Sequence, residues 1–373
     1  MWKVNFNGGD WFFYPTGAIA FRKALDDWPV FLERLLDQHE IDTIMLFGDC
    51  RPIHRLAKEA VGHRKIHVWV FEEGYIRPNY VTFEYSGVNG NSKIPANALM
   101  TSDASFYPPS PSFKVTNAFW RSVGWAILYY VAASIGKPFF PKYRHHRPLG
   151  ISEAGPWIRG AWRRIFYAAK ERGVQEKLTG TLSKKYFMVP LQVHNDSQIS
   201  AHSDFDSVGT FIRTVVTSFA NYAPKDSFLV FKHHPMDRAY MDYTKLLQQL
   251  SKEMFLGDRV IYIHDLHLPS LLKHAIGVVV INSTVGLSSL YYSTPVKVCG
   301  RAVYDHDKLT FQASLDEFWK TSRKLVVDRE LFKCFKNYLI DTTQLNGSFY
   351  SRLPESDSCS GVIWNHDRNQ IRN

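Results

Sequence analysis

The chain has 373 residues, more than one compact core usually supports, so two domains are expected. Its composition, 45% hydrophobic and 21% charged, is that of an ordinary soluble globular protein, and its net charge of +10 favours an anionic partner. No recognised nucleic-acid module and no long basic run occurs, which favours anionic lipid or an anionic substrate over nucleic acid. The aromatic content of 15% fits a sugar-stacking or membrane-interface surface, or a large aromatic core.

The cysteines and the N-terminus indicate the cellular compartment. Four scattered cysteines without a paired motif support neither a disulfide framework nor a zinc site, and free thiols in a reducing cytosol fit best. They are Cys50, Cys299, Cys334 and Cys359. Residues 1–10 contain no apolar signal core, so export is not expected.

The first predicted elements form a β-α-β unit. The pattern predicts a helix over 22–40, a strand over 41–47, a helix over 53–63 and a strand over 66–71. Residues 79–116 are rich in glycine and proline, which predicts a loop region with at most one helix.

A helical pattern then runs over 118–176, with a break at 136–156. The apolar stretch 123–135 is too short to span a bilayer, which takes ~20 residues. Residues 137–147 mix cations with aromatics, as interfacial membrane contacts do. The segment 118–147 is therefore a candidate membrane contact, and a buried helix followed by a basic loop is the alternative.

The second half of the chain alternates regularly between strands and helices, which predicts a doubly wound parallel sheet. The predicted elements are strand 184–193, helix 208–220, strand 228–231, helix 240–254, strand 259–263, helix 269–275, strand 278–281, helix 285–292 and strand 296–298. A further helical pattern runs over 315–339. These patterns predict domains over 1–180 and 181–330 and a helical tail over 331–373.

Two polar motifs follow buried strands of the second domain, at the sheet edge where open α/β sheets bind ligands. The motif Lys232-His233-His234-Pro235 is cationic, and the motif 282–286 (Asn-Ser-Thr-Val-Gly) opens a helix with hydroxyls and a glycine. Together they predict a phosphate-binding site. The alternatives are a surface turn with incidental histidines and a simple helix cap.

Carboxylates end a strand of the first domain at Glu72-Glu73-Gly74. Neighbouring residues of a strand point in opposite directions, so only one of the two acids can face a cleft freely. Such a carboxylate suits acid–base or nucleophilic work, and Arg77 supplies a cation for an anionic substrate. A solvated acidic turn is the alternative.

Three further groups of polar residues follow predicted strands. Asp49, Arg51 and His54 form one, in which Arg51 suits a sugar carboxylate, and helix capping by Asp49 is the alternative. The segment 194–198 would face the cleft or be a plain loop, and Asp265, in His264-Asp265-Leu266-His267, suits ribose hydroxyls, with metal binding as an alternative. Neither GxGxxG nor Walker A follows a strand, which argues against NAD and ATP chemistry.

Five segments closely resemble the capsule polysaccharide biosynthesis family of the KpsS/LipB type, over about residues 40–320. They are 47–52, 70–78, 87–92, 231–237 and 281–287. The resemblance implies a GT-B-like α/β fold of two Rossmann-like domains that face each other across a cleft. It also implies a β-Kdo transferase of Gram-negative bacteria, which uses CMP-Kdo and a phosphatidylglycerol lipid at the cytoplasmic face of the inner membrane. Its product starts the Kdo linker of the capsule.

The resemblance implies that His234 and Pro235 hold CMP, that Ser283 and Thr284 hold its phosphate, and that Glu73 is catalytic. The polar motifs described above supply the other candidates. The catalytic candidates are Glu73, Glu72 and His234. The candidates for CMP binding are Lys232, His233, His234, Pro235, Asp265, Ser283, Thr284 and Gly286. The candidates for sugar or acceptor binding are Asp49, Arg51, His54, Arg77, Asn89, Gln192 and Asp196. The acidic, His-Pro and Ser-Thr trio is also similar to that of bacterial sialyltransferases, although related enzymes often have Asp where this chain has Glu73.

Retention of the β linkage requires a carboxylate nucleophile in a double displacement, and Glu73 is the candidate. No metal and no cofactor is expected. The expected partners are CMP-Kdo, the lipid, the anionic inner-membrane surface and other capsule biosynthesis or export proteins, without nucleic acid. Two other functions stay open: a UDP-sugar transferase or epimerase, and a capsule-assembly factor without catalytic activity.

Overall fold

The structure, a computed structural model, describes residues 1–95, 112–116, 119–144, 154–351, 353 and 361–364. The chain forms two compact units. The first comprises Met1–Lys93, Pro109–Gly155 and Leu339–Asn373, and the second comprises Ile94–Pro108 and Pro156–Tyr338. The division falls earlier than the predicted boundary near residue 180, and the described residues from 339 onwards belong to the first unit instead of forming a separate tail.

The helices and strands follow one another along the described chain in this order: β1 (Lys3–Asn5), α1 (Gly8–Phe13), β2 (Ala18–Ala20), α2 (Trp28–Gln38), β3 (Thr43–Phe47), α3 (Pro52–Val61), β4 (His67–Glu73), β5 (Tyr80–Tyr85), α4 (Phe119–Ile135), α5 (Ala154–Lys170), α6 (Val174–Thr179), β6 (Tyr186–Pro190), α7 (Ser197–His202), α8 (Val208–Tyr222), β7 (Phe228–Lys232), α9 (Thr244–Glu253), β8 (Val260–Ile263), α10 (Leu268–His274), β9 (Gly277–Val280), α11 (Val285–Tyr291), β10 (Val296–Val298), α12 (Leu315–Thr321), α13 (Arg329–Thr343) and β11 (Gln344–Asn346).

The main sheet of the first unit has the strand order β11-β5-β4-β3. β3 and β4 pair in parallel around α3, which confirms the predicted β-α-β unit. β5 pairs antiparallel with β4, and β11 pairs antiparallel with β5. The prediction of a loop from residue 79 onwards was therefore wrong for β5, which is nearly all buried and whose residues 81–85 alternate between apolar and polar types as a strand does. Residues 96–111 of that predicted loop lie outside the described residues.

The core of the first unit lies between its helices and the parallel half of the sheet. Leu32 and Leu36 of α2 pack with Ala57 and Val61 of α3 and with Leu46 of β3. These positions follow helical spacing on one side of each helix, which explains why two amphipathic sequences form helices that cover the same sheet face.

The segment predicted to contact a membrane contains α4, as the helical pattern predicted. One side of α4 packs on α1, where the Tyr129 hydroxyl lies 3.0 Å from Oδ1 of Asp10, while Trp120 and Ile135 are exposed. Residues 118 and 145–147 of this segment lie outside the described residues. Among the described helices, none has the length and apolar content that crossing a bilayer requires.

The sheet of the second unit has five parallel strands in the order β10-β9-β6-β7-β8. Its strands are largely buried, as sheets covered by helices on both faces require. The predicted doubly wound α/β sheet is confirmed. β7 lies on one side of β6 and β9 lies on the other. The strand order therefore reverses between β6 and β9, and such sheets bind ligands at this point.

The C-terminal helical region is two helices rather than the continuous pattern predicted over 315–339. In α12, Phe318 and Trp319 are fully buried in the core of the second unit. α13 then leads into β11, which completes the sheet of the first unit. Cys50, Cys299 and Cys334 form no disulfide within the described part of the chain, and Cys359 lies outside it.

Candidate functional site

In the second unit the strand order reverses between β6 and β9. Polar residues that follow these two strands meet at this point. Nε2 of Gln192 donates to Oδ1 of Asn282 at 2.9 Å and to Oδ2 of Asp196 at 3.2 Å. Oε1 of Gln192 is buried and has no hydrogen-bond partner among the described residues. An acceptor without a donor at this edge is the arrangement expected of a ligand site. Two predicted site residues, Gln192 and Asp196, therefore meet here.

The His-Pro motif follows β7, as predicted, but its residues have different roles. Lys232 is buried, and its Nζ donates to the main-chain oxygen of His264 at 2.8 Å, so this ammonium connects the ends of two strands. Burial lowers the pKa of Lys232. Nδ1 of His234 accepts from the main-chain N–H of Met236 at 3.2 Å, and Pro235 begins a short 3-10 turn there. Because Nδ1 accepts this bond, the ring of His234 carries a proton on Nε2.

His233 is the buried member of the motif. Its Nδ1 lies 2.6 Å from the hydroxyl of Tyr262, and its Nε2 is buried with no partner among the described residues. Burial, together with the neighbouring His264, lowers the pKa of His233 to about 3, so the ring is neutral at physiological pH. His233 therefore offers a neutral polar atom rather than a charge to any ligand that reaches it.

A histidine–aspartate pair lies at the same edge. Its histidine, His194, belongs to the candidate segment 194–198, but its pairing with Asp237 was not predicted. Asp237 is fully buried, and its two oxygens lie 2.5 Å from Nδ1 and 3.1 Å from the main-chain nitrogen of His194. An aspartate on Nδ1 orients the imidazole and leaves Nε2 for chemistry. The sequence signal is an acid two residues after the His-Pro pair and a histidine just after the neighbouring strand.

The end of β8 is held by the segment that follows α5. The two carboxylate oxygens of Glu171 accept from the main-chain nitrogens of His264 and Asp265 at 2.7 and 3.2 Å. Oε1 of Glu171 also lies 2.6 Å from Nδ1 of His264, and Arg238 forms an ion pair with Asp265. Oδ2 of Asp265 is buried without a partner in the described chain, which leaves one oxygen for the predicted contact with ribose.

The Ser-Thr motif follows β9, as predicted. Oγ of Ser283 accepts from the main-chain N–H of Val285 at 3.3 Å, and Thr284 stands before α11 without a side-chain capping bond. A Cβ on Gly286 would lie 2.2 Å from the hydroxyl of Tyr304, which donates to the main-chain oxygen of Ser283. Gly286 is therefore required by the packing of Tyr304, whereas the sequence suggested close approach of a ligand.

The two acids that end β4 have different surroundings in the first unit. Oε1 of Glu73 accepts from the hydroxyl of Tyr350 at 3.2 Å. Glu72 lies towards the turn after β3, where its Oε2 would be 3.1 Å from a Cβ on Gly48. Burial raises the pKa of Glu72. The alternation of strand side chains thus separates the acids, as predicted.

Glu73 lines a cavity of about 460 Å³ within the first unit. The residues that line it are Glu73, Arg77, Pro78, Tyr80, Val81, Val115, Thr116, Ser122, Gly347, Ser348, Phe349 and Tyr350. Nε of Arg77 donates to the main-chain oxygen of Gly74 at 3.1 Å, which fixes the guanidinium beside the cavity. Tyr350 was not among the predicted site residues, because it lies far from Glu73 in the sequence.

The third predicted group, Asp49, Arg51 and His54, follows β3, and of its members Asp49 is buried. Burial alone would raise the pKa of Asp49, but hydrogen bonds from Asn91 at 2.9 Å and Lys58 at 3.0 Å hold it below its usual value. The capping alternative was wrong, because the residue that precedes α3 is Arg51. Burial, with a further contribution from Arg51, lowers the pKa of His54 to about 4.

A second buried acid in this unit, Glu84, was not among the predicted site residues. Oε1 of Glu84 accepts from the hydroxyl of Tyr75 at 2.6 Å, and Ser92 bonds the other oxygen. The main-chain N–H of Asn89 donates to the Tyr75 hydroxyl at 2.5 Å. Burial raises the pKa of Glu84 to about 7. Three of the segments that carry the family resemblance, 47–52, 70–78 and 87–92, thus meet around Asp49 and Glu84.

Comparisons with known proteins agree with the motifs. A model of the capsule polysaccharide biosynthesis protein family matches residues 42–350. The chain is 42% identical over 356 residues to the capsule polysaccharide export protein KpsS of Escherichia coli, covering 93% of this chain and 90% of that protein. It is 39% identical over 363 residues to the capsule polysaccharide modification protein LipB of Neisseria meningitidis serogroup B, covering 94% and 85%.

Among solved structures, the chain is similar to the β-Kdo 2,7 transferase of Thermosulfurimonas dismutans KpsC, with a TM-score of 0.48 and 16% identity. This match covers 93% of the chain and 92% of that structure.

Proposed function

We propose that this chain, which belongs to the capsule polysaccharide biosynthesis protein family, is a retaining β-Kdo glycosyltransferase. It moves Kdo from CMP-Kdo to a phosphatidylglycerol-type lipid and so starts the poly-Kdo linker of capsular polysaccharide. The observation that carries the proposal is the polar edge of the parallel sheet in the second unit, which combines histidines, hydroxyls and buried polar atoms that lack partners among the described residues.

The donor nucleotide binds at this edge. A cytosine ring and a ribose carry donors and acceptors that would satisfy Oε1 of Gln192, Nε2 of His233 and Oδ2 of Asp265. A buried polar atom without a partner costs roughly 1–3 kcal/mol, so a ligand that pairs with it gains affinity. Nε2 of His234 and the hydroxyls of Ser283 and Thr284 bind the phosphate, which carries the charge of the leaving group.

Glu73 is the nucleophile in a double displacement. Its carboxylate attacks C2 of Kdo, the bond from C2 to the phosphate oxygen breaks, and the electron pair leaves with CMP. A lipid hydroxyl then attacks C2 from the opposite face, which releases Glu73 and retains the β configuration. The hydroxyl proton passes to water, because Glu72, the other catalytic candidate, does not line the cavity that Glu73 lines. Arg77 pairs with the carboxylate of Kdo, and Tyr350 orients Glu73.

Further polar residues bind the sugar or the acceptor, and the protein works at a membrane surface. Asp49, Arg51, His54, Asn89 and Asp196 contribute to the binding of sugar or acceptor, and neither a metal nor a cofactor is required. The protein binds peripherally to the cytoplasmic face of the inner membrane, where it works with other capsule biosynthesis or export proteins. A net charge of +10 and the exposed Trp120 and Ile135 of α4 support this membrane contact.

The test is transfer of Kdo by the full chain, measured as CMP release and as the mass of the lipid product. Glu73→Gln should abolish transfer while CMP still raises the melting temperature, because the nucleotide binds to the other unit. Glu59→Gln, an exposed acid of α3, is the matched control and should retain transfer.

Wild-type turnover in Glu73→Gln would reject the assignment, as would a Kdo adduct trapped on another residue. Stabilisation by UDP but not by CMP would favour a UDP-sugar enzyme instead. Nucleotide binding without any release of CMP would favour an assembly factor that has no catalytic activity.

A further inference from the structure

One side of α5 attaches the helix to the second unit. Gly160 packs on Ala239, to which a Cβ on the glycine would come within 3.3 Å. Arg163 donates to the main-chain oxygen of Arg238 at 2.8 Å, and the ring of Tyr167 stacks on that of His264 with centroids 3.4 Å apart. These positions recur at helical spacing, so they form a single stripe that contacts the unit.

The outer side of α5 is apolar and exposed. Ile158, Trp162 and Ile165 follow one another at the i, i+4, i+7 spacing of a helix face, and their exposed fractions are 72%, 61% and 73%. Trp157 and Phe166 are also exposed, and the rings of Trp162 and Phe166 stack with centroids 5.3 Å apart. Large apolar side chains that cluster on a surface mark an interaction site, whereas isolated ones do not.

The charges of α5 identify the kind of partner. The helix contains four basic residues and no acidic residue, and Arg159 and Arg164 are exposed beside the apolar stripe. Tryptophan, isoleucine and arginine on one helix are typical of segments that lie in the interface of an anionic bilayer. We infer that the outer face of α5 (Trp157, Ile158, Trp162, Ile165 and Phe166, with Arg159 and Arg164) binds the surface of an anionic phospholipid membrane.

This contact would act on the candidate donor site through the inner side of the same helix. Tyr167 of α5 and Glu171, just after it, hold the end of β8, so a membrane under α5 brings lipid headgroups near this edge of the sheet. The inference deepens the proposed function, on which it rests for the lipid nature of the acceptor. It is separate from the contact proposed for α4, because α5 packs on a different unit.

The test is co-sedimentation of the full chain with vesicles of phosphatidylcholine alone or mixed with phosphatidylglycerol. The wild-type protein should bind the mixed vesicles. Ile158→Ser/Ile165→Ser should lower the partition coefficient roughly tenfold or more, because the interface then buries two fewer large apolar side chains. Arg159→Gln/Arg164→Gln should weaken binding to the mixed vesicles only. The matched controls, Val326→Ser and Lys252→Gln at exposed positions, should bind as the wild type does.

Wild-type partitioning of Ile158→Ser/Ile165→Ser would overturn the inference, and so would binding that only Ile135→Ser in α4 reduces. The wild-type protein could instead form dimers without binding the vesicles. If the α5 variants abolished those dimers, the outer face of α5 would bind a second copy of the chain, and the inference would also be overturned. Transfer of Kdo to a soluble short-chain acceptor separates the two proposals. If the protein binds vesicles through α5 but transfers no Kdo, only the proposed function is refuted. If it transfers Kdo but the α5 variants bind vesicles as the wild type does, only this inference is refuted.

Discussion

His194 is the residue whose role the structure changes most. Asp237 holds Nδ1 of its ring at 2.5 Å, and the side chain is 32% exposed at the edge where the donor nucleotide is proposed to bind. In this geometry Nε2 can bond the phosphate of departing CMP. A bond to a charged group contributes about 1.5–3 kcal/mol, so His194→Gln should lower kcat/KM for CMP-Kdo by roughly 10- to 100-fold.

The measurement is steady-state release of CMP. Asp237→Asn should change kcat/KM in the same direction, because it removes the acceptor that orients the ring. His63→Gln, at an exposed position of the first unit, is the control and should leave the rate unchanged. A wild-type kcat/KM for His194→Gln would show that the pair is only structural.

At this scale the sequence indicated the right places but not the partners. The polar motifs after β7 and β9 lie at the ends of buried strands, so their positions follow from burial and turn chemistry. The bond between His194 and Asp237 joins residues 43 positions apart, and no local pattern encodes such a pair. The same holds for Lys232, whose charge suggested a ligand but whose Nζ donates to the main-chain oxygen of His264, just after the neighbouring strand β8.

At the scale of elements, the turn from β9 into α11 depends on a glycine. Tyr304 is fully buried, and its ring occupies the space where a Cβ on Gly286 would lie. Gly286→Ala should therefore displace Tyr304 and its bond to Ser283, and cost about 1–3 kcal/mol of unfolding free energy. Because Ser283 is a proposed phosphate contact, stabilisation by CMP should decrease as well.

Thermal unfolding with and without CMP measures both effects. Gly209→Ala in α8 is the matched control, since a Cβ there would lie 3.5 Å from the nearest side-chain atom, an ordinary contact. That control should be neutral or slightly stabilising, because alanine favours a helix over glycine by about 0.5–1 kcal/mol. Equal melting temperatures of Gly286→Ala and the wild type would contradict the proposed packing constraint.

Strands differed in how well the sequence predicted them. The parallel strands β6 to β10 consist largely of β-branched, aromatic and aliphatic residues bounded by turns, and all five were predicted. β5 was missed because the glycines and prolines that follow it suggested a loop, although its residues 81–85 alternate between apolar and polar types. β11 has only three residues and becomes a strand by pairing with β5, so its conformation depends on tertiary contacts.

At the scale of the whole molecule, the chain returns to the first unit after α13. The candidate catalytic cavity is therefore lined by residues 73–81 and 115–122 and, much later in the sequence, by residues 347–350. Oε1 of Gln344 accepts from the main-chain N–H of Tyr75 at 2.9 Å, and its Nε2 donates to the hydroxyl of Thr82 at 3.0 Å. Both bonds are buried. Tyr350, a few residues later, then reaches Glu73. The two bonds of Gln344 therefore fix the segment that orients the proposed nucleophile.

Gln344→Ala should leave the main-chain N–H of Tyr75 buried without its acceptor, which costs about 1–3 kcal/mol. For a unit of this size we expect the melting temperature to fall by roughly 2–4 °C per kcal/mol. Transfer should fall further than stability alone explains, because Tyr350 loses its fixed position beside Glu73. Gln249→Ala, at an exposed position of α9, is the control and should match the wild type in both assays. Unchanged stability and transfer in Gln344→Ala would show that the cavity does not need the C-terminal strand, and that the N-terminal strands alone orient Glu73.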